Sequence, residues 1–555
     1  MLLARSSHAT EQARGTETRP QRAARLGLLA GLALAVAACS SAAEPAPPPA
    51  VAPPPAPAPS PAPGPPAKGA KPFEIAWGTC SIPFEGGDAV ESECATVDAP
   101  ARRGVAGSGT LPVAVYRIKA RHQPATAQLW LLNGGPGAAG FDLASVADIA
   151  ASEFTNDVDA YFVDHRGTGE SAYLACPRAT QDATDLQEYA RLCSAELRKR
   201  HGDAIDGFST TESAHDVREL IDSTREPGKK VFVYGISYGS YWAHRLMQMP
   251  ETKVDGVITD GNCLSSTCTF DVPQTFALDE PMREILTACK GDAACAAHLG
   301  DDPWRFAADT VQMLAGGHCS EARIARMAPA DMMMSLGPIW GAGTAPLLFR
   351  LNRCSAADVK VLDNLATVLE KIGGLRRAPL PNLGAPPKPG ARTRDSSALG
   401  YHVIASELIS RPAPTSAELR ALGAGLTFKP GPDSYDLAYF DSWSAYPRDA
   451  LVGGWARRDV PWLMVQGTFD FQTVASLSRR AAPELQNPSL QYVRFDGGGH
   501  SVAWSSTCSM QILEAFMRDP KAAVDTSCVA ELKASALRMD PRYVQYFFGT
   551  ANAWD

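Results

Sequence analysis

Several patterns that define common functional classes are missing from this sequence of 555 residues. No Cys-x-x-Cys pair or Cys/His cluster has zinc-ligand spacing, so no metal site is expected. The Gly-Gly-Pro-Gly run at 134–137 is not followed by Gly-Lys-Ser/Thr, which excludes a phosphate-binding loop there. A formal net charge of -8 argues against a nucleic acid or an anionic membrane surface as a partner. No internal repeat is evident, and no cofactor is implied.

The first 71 residues have the pattern of export rather than of a fold. Arginines precede the apolar run Leu26–Ala38, which is too short to span a bilayer and is typical of a signal peptide. Small residues stand directly before Cys39, as in the lipobox of bacterial lipoproteins, where the cysteine becomes lipidated. Ordinary signal cleavage with an incidental Cys39 is the alternative.

A proline- and alanine-rich stretch follows the predicted signal peptide. Residues 39–71 have a composition that cannot bury a core and is typical of a stiff tether. We therefore predict a signal peptide over 1–38, a lipid on Cys39 and a tether over 39–71. The folded body would be extracytoplasmic and anchored to a bacterial cell-envelope membrane.

The cysteine count agrees with an exported chain. Thirteen cysteines less Cys39 leave twelve, an even number, which indicates disulfides. Pairing in sequence order closes short loops, although the sequence alone does not prove that pairing. The pairs in that order are Cys80 with Cys94, Cys176 with Cys193, Cys263 with Cys268, Cys289 with Cys295, Cys319 with Cys354, and Cys508 with Cys528.

From residue 72, short apolar runs alternate with helical patterns, which predicts an α/β fold with a doubly wound, mostly parallel sheet. The predicted strands are Leu111–Ile118, Gln128–Leu132, Ala160–Val163, Val231–Tyr234, Gly256–Thr259, Trp462–Val465 and Tyr492–Phe495. A Ser-x-x-Glu capping box at Ser209 predicts the start of one helix between them.

The alternation stops between 263 and 455, where the patterns are helical. The predicted helices are Pro281–Cys289, Trp304–Ala315, Pro329–Leu336, Ala356–Ile372 and Ser416–Leu422, with a loop at Ala385–Ser397. We predict that 263–455 form a helical lid inserted into a core made of 72–262 and 456–555. A second, independent domain without a catalytic role is the alternative.

One segment has the local structure of a nucleophile elbow. The predicted strand Val231–Tyr234 runs into the Gly-x-Ser-x-Gly stretch at 235–239, and a helical pattern follows. Small residues let such a turn tighten, so that the serine hydroxyl stands exposed above the sheet edge. Ser237 is therefore the predicted nucleophile.

A serine nucleophile needs a base and a carboxylate that orients the base. His500 is the only histidine after the helical insertion, and it lies in a glycine turn that follows a predicted strand. Asp470 follows the strand Trp462–Val465 through a short turn, whereas Asp459 precedes that strand and Asp496 lies too close to His500. We therefore predict that Asp470 and His500 complete the triad.

A third element, an oxyanion hole, is predicted after the strand Gln128–Leu132. Glycines there let backbone amides face a developing negative charge. One donor would be the amide of Tyr238, and the other would be the amide of Gly134 or Gly135.

These motifs resemble the proline iminopeptidase and tripeptidyl aminopeptidase branch of the α/β-hydrolases. The stretch at 133–137 resembles its H-G-G-P-G motif, and the stretch at 164–171 resembles its D-x-R-G-x-G-x-S turn. The elbow, the acid and the histidine also match, in the same order, and the resemblance extends from about Trp77 to Cys528. It implies the α/β-hydrolase fold and an aminopeptidase activity on peptide substrates. Asn133 departs from the pattern, because the family usually has histidine there.

The resemblance also implies acidic groups that hold the free ammonium of the substrate. Glu407 stands where relatives often carry an acid, and Glu280 and Glu284 are further candidates; each could instead be an ordinary carboxylate on a helix surface. Two other functions stay open. The same triad would serve a carboxylesterase or lactonase, and the chain could be a non-catalytic binding protein of the envelope.

Overall fold

The computed structural model describes most of the chain that follows the predicted tether. The described residues are 72–82, 89–149, 157–176, 183, 185–272, 274–372 and 395–555. The predicted signal peptide, Cys39 and the tether lie outside the described residues, as does most of the predicted loop Ala385–Ser397. Within the described part of the chain, no helix has both the length and the apolar character needed to cross a bilayer.

One sheet of nine strands forms the centre of the described structure. The strands are β1 (Gly78–Ile82), β2 (Val90–Pro100), β3 (Thr110–Ile118), β4 (Ala127–Leu132), β5 (Val158–Val163), β6 (Lys230–Ile236), β7 (Gly256–Asp260), β8 (Trp462–Gly467) and β9 (Leu490–Phe495). Their order is β1-β2-β3-β5-β4-β6-β7-β8-β9. The pairs β1–β2, β2–β3 and β3–β5 are antiparallel. The pairs β5–β4, β4–β6, β6–β7, β7–β8 and β8–β9 are parallel. The predicted mostly parallel α/β sheet is confirmed.

The sheet is covered on both faces because its central strands are apolar throughout. All six residues of β4 are buried. Leu129 and Leu131 belong to one apolar cluster, whereas Trp130 and Leu132 belong to another. Since successive side chains of a strand point to opposite faces, each face of the sheet has its own core.

Seventeen α-helices surround the sheet in the described residues. They are α1 (Ala144–Ile149), α2 (Leu186–His201), α3 (Thr210–Thr224), α4 (Tyr238–Met247), α5 (Asp279–Gly291), α6 (Ala293–Leu299), α7 (Pro303–Ala315), α8 (Pro329–Ser335), α9 (Trp340–Arg353), α10 (Ala356–Lys371), α11 (Ser397–Val403), α12 (Ser416–Ala424), α13 (Ala438–Asp441), α14 (Ala475–Glu484), α15 (Thr507–Arg518), α16 (Val529–Ser535) and α17 (Pro541–Phe548). A π-helical turn, Ile404–Leu408, follows α11.

The predicted capping box at the start of α3 is only half formed. The Ser209 side chain accepts a hydrogen bond from the Glu212 amide, as predicted. The Glu212 carboxylate does not complete the box, because it accepts hydrogen bonds from the amide and guanidinium of Arg103. In a complete capping box the Glu212 carboxylate would accept from the Ser209 amide. Here Arg103, from the loop after β2, donates to that carboxylate instead.

The predicted lid does not pack as one unit. Most apolar residues between 278 and 372 belong to one cluster, which also includes Phe428, two residues beside Asp470 and residues of the chain end. By contrast, Leu399, Val403 and Trp443 belong to the cluster on one face of the sheet. Most of the segment after 395 therefore packs with the layer that covers the sheet, whereas the first half of the insertion packs in a cluster that it shares with Phe428 and parts of the core segment.

The last helix packs in the lid cluster and not against the sheet. Residues 456–555 are predicted to belong to the core, but Val544, Phe547 and Phe548 of α17 pack in the lid cluster. Asn364 of α10 also donates a hydrogen bond to the Phe547 carbonyl. The apolar face of α17 is thus buried against the lid cluster.

All six cysteine pairs of the sequential pattern are joined in the structure. Their Cα atoms are between 4.5 and 5.9 Å apart, within the normal range for disulfides. Cys80–Cys94 joins the first two strands, Cys319–Cys354 lies within the lid, and Cys508–Cys528 ties α15 to the segment before α16.

Candidate active site

Ser237 lies in the sharp turn between β6 and α4. Its φ of 55° and ψ of -127° are unusual for a residue with a side chain, and they mark the strained turn predicted for a nucleophile. A methyl group on Gly239 would overlap the Leu132 carbonyl of the neighbouring strand, so only glycine permits this close approach. The Ser237 amide donates to the Asp260 carbonyl at 2.8 Å, which fixes the turn against the end of β7.

Asp470 holds His500 in the orientation needed for a general base. Nδ1 of His500 lies 2.9 Å from Oδ2 of Asp470, and both side chains are almost fully buried. An ionised carboxylate can only accept, so Nδ1 carries the proton and Nε2 has a free lone pair. Nε2 is buried and has no hydrogen-bond partner among the described residues.

The Asp470 carboxylate is itself held by the turn that contains it. The amides of Gln472 and Thr473 donate to Oδ1 at 2.8 Å each, and the Thr473 hydroxyl and the Gln466 amide group donate to Oδ2. These donors stabilise the charged form of a carboxylate that water cannot reach.

The pair shifts the pKa of both groups in the direction that a triad needs. Burial alone would raise the pKa of Asp470, but the His500 ring and the donors of Thr473 outweigh it and hold that pKa below its usual range. Burial alone would lower the pKa of His500, but the charges of Asp470 and Asp260 outweigh it and raise that pKa above 6.5. The orienting acid thus stays ionised, and the ring is a stronger base than free histidine.

The residues of the predicted triad lie at the same edge of the sheet, although Ser237 Oγ and Nε2 of His500 are not hydrogen-bonded to each other. Ser237 follows β6, Asp470 follows β8 and His500 follows β9, so all three lie past the carboxyl ends of parallel strands. Gly261 follows β7 between them, and a methyl group on it would lie 2.8 Å from Cε1 of His500. Since the preceding residue, Asp260, binds the Ser237 amide, the imidazole and the nucleophile turn converge on the same strand end.

The structure narrows the predicted oxyanion hole to two amides. A methyl group on Gly134 would lie 2.9 Å from Cβ of Ser237, so this glycine lines the nucleophile directly. The Gly134 amide, however, already donates to Oδ1 of Asn133 at 2.8 Å, which removes it as a donor. The Gly135 amide and the Tyr238 amide, the first of α4, have no acceptor among the described residues and are the remaining pair.

Asn133, the departure from the family pattern, shapes the same loop. Its Nδ2 donates to the Ala139 carbonyl at 2.7 Å while its Oδ1 accepts from Gly134. A buried amide side chain thus joins the two ends of the loop 134–139. An amide can donate and accept at once, so asparagine is able to hold this loop without an imidazole.

Glu407, the first candidate for substrate-amine binding, has a different role. Its carboxylate accepts hydrogen bonds from four groups: the Thr210 amide, the Tyr446 and Tyr241 hydroxyls and the Arg245 guanidinium. The Glu407 side chain is 1% exposed, and Arg245 leads the groups that, against burial, hold its pKa below the usual range. Its carboxylate therefore ties the π-helical turn to α4 and has no free position for a substrate ammonium.

Glu280 and Glu284 are also paired within the protein. Glu280 accepts hydrogen bonds from the Ser476 amide and from Arg479, both on α14. Glu284 pairs with Arg494 of β9 at 2.9 Å. Both carboxylates lie on α5, so they join the lid to the core beside β9, and the structure does not bring them together with Glu407.

Asp260 is the group near the site that the sequence analysis does not identify. It ends β7, is fully buried and faces the histidine loop through its carboxylate. The sequence contains a signal for Asp260. The carboxyl ends of the neighbouring parallel strands carry site residues, and Asp260 is the acidic residue at the carboxyl end of β7.

Comparisons with known proteins agree with this architecture. Residues 438–528 match the family model described as TAP-like protein. No curated protein is similar enough to count as a match. The strand order, the elbow after β6 and the positions of the acid and the histidine are those of an α/β-hydrolase fold, and we assign that fold.

Similar solved structures include enzymes of several kinds. A proline iminopeptidase from Mycobacterium smegmatis is 12% identical over 80% of this chain and 99% of its own, with a TM-score of 0.31. A thermophilic esterase from Thermogutta terrifontis is 14% identical over 77% and 99%, with a TM-score of 0.29. A laboratory-evolved variant of a potato epoxide hydrolase is 15% identical over 75% and 98%, with a TM-score of 0.30. Likeness at this level supports no inference about activity.

Proposed function

We propose that this protein is a serine hydrolase that removes one or a few residues from the N-termini of peptides. The observation that carries the proposal is the 2.9 Å hydrogen bond between Nδ1 of His500 and Asp470, at the sheet edge that also holds the strained turn of Ser237. A serine nucleophile needs Nε2 of His500 as its proton acceptor, and the hydrogen bond between Ser237 Oγ and that nitrogen, which the structure does not form, has to close when substrate binds.

The residues supply each step of an acyl-transfer reaction. Ser237 Oγ attacks the scissile carbonyl and gives its proton to Nε2 of His500, which later delivers it to the leaving amine. Asp470 stabilises the imidazolium that forms in between. The amides of Gly135 and Tyr238 bind the oxyanion, and water then releases the acyl group from Ser237 by the same route.

Two features favour a peptide substrate. The motifs at 133–137 and 164–171 resemble those of the proline iminopeptidase and tripeptidyl aminopeptidase branch. The C-terminal part of the chain matches the TAP-like family model over 438–528. An esterase with the same triad is the second candidate, because the carboxylate of Glu407 is already occupied and cannot hold a substrate ammonium.

Rates on matched substrates separate the two candidates. Mono-, di- and tripeptidyl arylamides are compared with their N-acetylated forms and with short acyl esters of a phenol, using Ser237→Ala to subtract contaminating activity. We expect turnover of a free-amine arylamide and a loss of kcat/KM of about 10- to 100-fold on acetylation, the size of a lost charged contact. Equal or faster turnover of acetylated arylamides, or of the esters alone, would assign the protein to the esterases.

We further propose that the protein is held outside the cytoplasm by a lipid on Cys39. The six disulfides support an oxidising compartment, and the lipobox-like sequence with its proline-rich tether supports an anchor. Labelled palmitate should enter the wild-type chain and not Cys39→Ala. Equal labelling of both, or of neither, would contradict the anchor.

A further inference from the structure

Asp260 is a buried carboxylate beside the triad that the proposed chemistry does not use. Its relative exposure is 0%, and its side chain accepts hydrogen bonds from three donors. The Val502 amide donates to Oδ1 at 3.0 Å, while the Ala503 amide and the Tyr234 hydroxyl donate to Oδ2 at 2.8 and 3.0 Å. Desolvation of a carboxylate is costly, so a fully buried one with dedicated donors calls for a reason.

Asp260 contacts both halves of the catalytic machinery. Through its backbone carbonyl it accepts a hydrogen bond from the Ser237 amide. Through its carboxylate it holds Val502 and Ala503, which directly follow the turn that carries His500. One residue therefore fixes the nucleophile turn and the histidine loop to the same point on β7.

The charge of Asp260 also acts on the imidazole. Asp470 and Asp260 are the two charged groups that raise the pKa of His500, Asp470 having the larger effect. Burial raises the pKa of Asp260 itself to about 6, against the lowering effect of its amide donors, His500 and Tyr234. The Asp260 carboxylate is thus ionised at neutral pH and attracts a proton to the ring.

We propose that Asp260 is a positioning residue for catalysis: it registers the His500 loop against the Ser237 turn and adds a second negative charge beside the imidazole. This inference rests on the proposed function, since it assigns His500 the role of general base. It differs from a purely structural role, because a structural carboxylate would hold the loop without changing the basicity of the ring.

The test compares Asp260→Asn with Asp255→Asn. Asp255 precedes the same strand at its opposite end, where its exposed carboxylate accepts from the Val231 amide, so it is a matched control away from the site. The readouts are kcat, KM, the Tm, and the pH dependence of inactivation by a fluorophosphonate. Inactivation needs only the nucleophile and its base, so it reports on Asp260 even if the peptide substrate is wrongly assigned.

Asp260→Asn should lower kcat by about 10- to 100-fold with KM unchanged, which is the range for a misplaced catalytic group. The acidic limb of the inactivation profile should move to lower pH, because His500 loses an attracting charge. Asp255→Asn should match the wild type in both. An acidic limb at the wild-type pH in Asp260→Asn would overturn the inference even if its Tm fell.

Tyr234→Phe provides a second variant if Asp260→Asn does not fold. It removes one donor and keeps the carboxylate, so the pKa of Asp260 should rise and the carboxyl should be neutral over more of the acidic range. His500 then loses the attracting charge there, and the acidic limb should move to lower pH, as in Asp260→Asn. An unchanged profile in this variant would also overturn the inference. A wild-type protein that is never labelled would refute the proposed function instead.

Discussion

Ser237 adopts a backbone conformation that costs of order 1–3 kcal/mol for a residue with a side chain. The surrounding turn compensates through hydrogen bonds on both sides of this residue. The Ser237 amide donates to Asp260, and the amide and hydroxyl of Ser240 donate to the Ser237 carbonyl. The strain is therefore local and is supported by neighbours that the Gly-x-Ser-x-Gly pattern does not name.

The pH dependence of activity follows from the shifted pKa of His500. Catalysis needs the neutral ring, and the charges of Asp470 and Asp260 raise its pKa above 6.5. Activity should therefore rise with pH through a midpoint above 6.5, while Asp470, with its lowered pKa, stays ionised throughout that range. A kcat/KM profile from pH 4 to 9 measures this midpoint. A midpoint clearly below 6.5 would contradict the assigned base.

Asn133→Ala should weaken catalysis without unfolding the protein. The change removes the two hydrogen bonds that Asn133 makes to Gly134 and Ala139, each contributing about 0.5–1.5 kcal/mol. If the loop then loses the geometry that aims the Gly135 amide, kcat should fall by about 10- to 100-fold. Steady-state kinetics with a thermal melt measures this, and Asn133→His should recover most of the rate. A variant with wild-type kcat would show that Asn133 does not shape the oxyanion hole.

Among the residues of the site, the sequence predicts those whose chemistry follows from a local pattern. Ser237, Asp470 and His500 are predicted because each follows an apolar strand in the chain order of the fold, and the structure places all three past strand ends at one edge of the sheet. Glu407 is wrongly assigned, since a sequence does not show that its carboxylate already has four donors. The choice between Gly134 and Gly135 needs the Asn133 contact, which is also a matter of tertiary structure.

At the scale of elements, the turn that carries Asp470 is joined to the lid. Phe469 and Phe471 flank Asp470, the proposed acid, are at most 2% exposed, and belong to the lid cluster. The rings of Phe471 and Trp340, the first residue of α9, lie 5.0 Å apart and are stacked. The Phe469 amide also donates to the Gly498 carbonyl of the histidine loop at 2.8 Å. Lid packing therefore helps to set where the acid and the base stand.

Phe471→Ala should impair both stability and catalysis. Removing a buried ring typically lowers the free energy of unfolding by about 3–5 kcal/mol, and here the cavity lies next to the acid. Phe547→Ala is the matched control, because Phe547 is 1% exposed in the same cluster but lies on α17. Denaturant unfolding should show similar losses for both, whereas kcat should fall only in Phe471→Ala. Equal effects on kcat would mean that the lid does not position Asp470.

The strands show where element prediction succeeds and fails. Strands β4 to β8 are buried on both faces and read as continuous apolar runs, so they are found from the sequence. In β2, buried and exposed positions largely alternate, and β1 is mostly exposed, so neither forms such a run. The predicted capping box is incomplete for a different reason. The Glu212 carboxylate binds Arg103, which is distant from it in sequence.

For the molecule as a whole, the lid and the core are joined at several distant points in the sequence. Arg350 of α9 is fully buried, pairs with Asp358 at 2.9 Å and donates to the Ala553 carbonyl. The segment that follows α17 thus returns to the lid, which sequence patterns do not reveal because the contacts span about two hundred residues. Of the segment 456–555, strands β8 and β9 lie in the sheet, whereas α17 packs in the lid cluster.

The disulfides should stabilise the protein by an amount that grows with the logarithm of the loop that each one closes. Cys319–Cys354 spans 35 residues and Cys263–Cys268 spans 5. The chain-entropy relation gives about 4 kcal/mol for the first and about 2 kcal/mol for the second. Serine double variants of each pair, compared by denaturant unfolding, test this. A larger loss for the short loop would mean that local packing, not loop closure, determines the contribution.

The account depends most on Ser237 being a nucleophile activated by His500, and covalent labelling tests this directly. The protein is treated with a fluorophosphonate, and the modified residue is located by peptide mass spectrometry. We predict one adduct, on Ser237, that is absent from Ser237→Ala, forms at least about 1000-fold more slowly in His500→Ala, and is unchanged in the exposed-site control Ser535→Ala. A folded wild-type protein that stays unlabelled, or an adduct on another residue, would contradict the account.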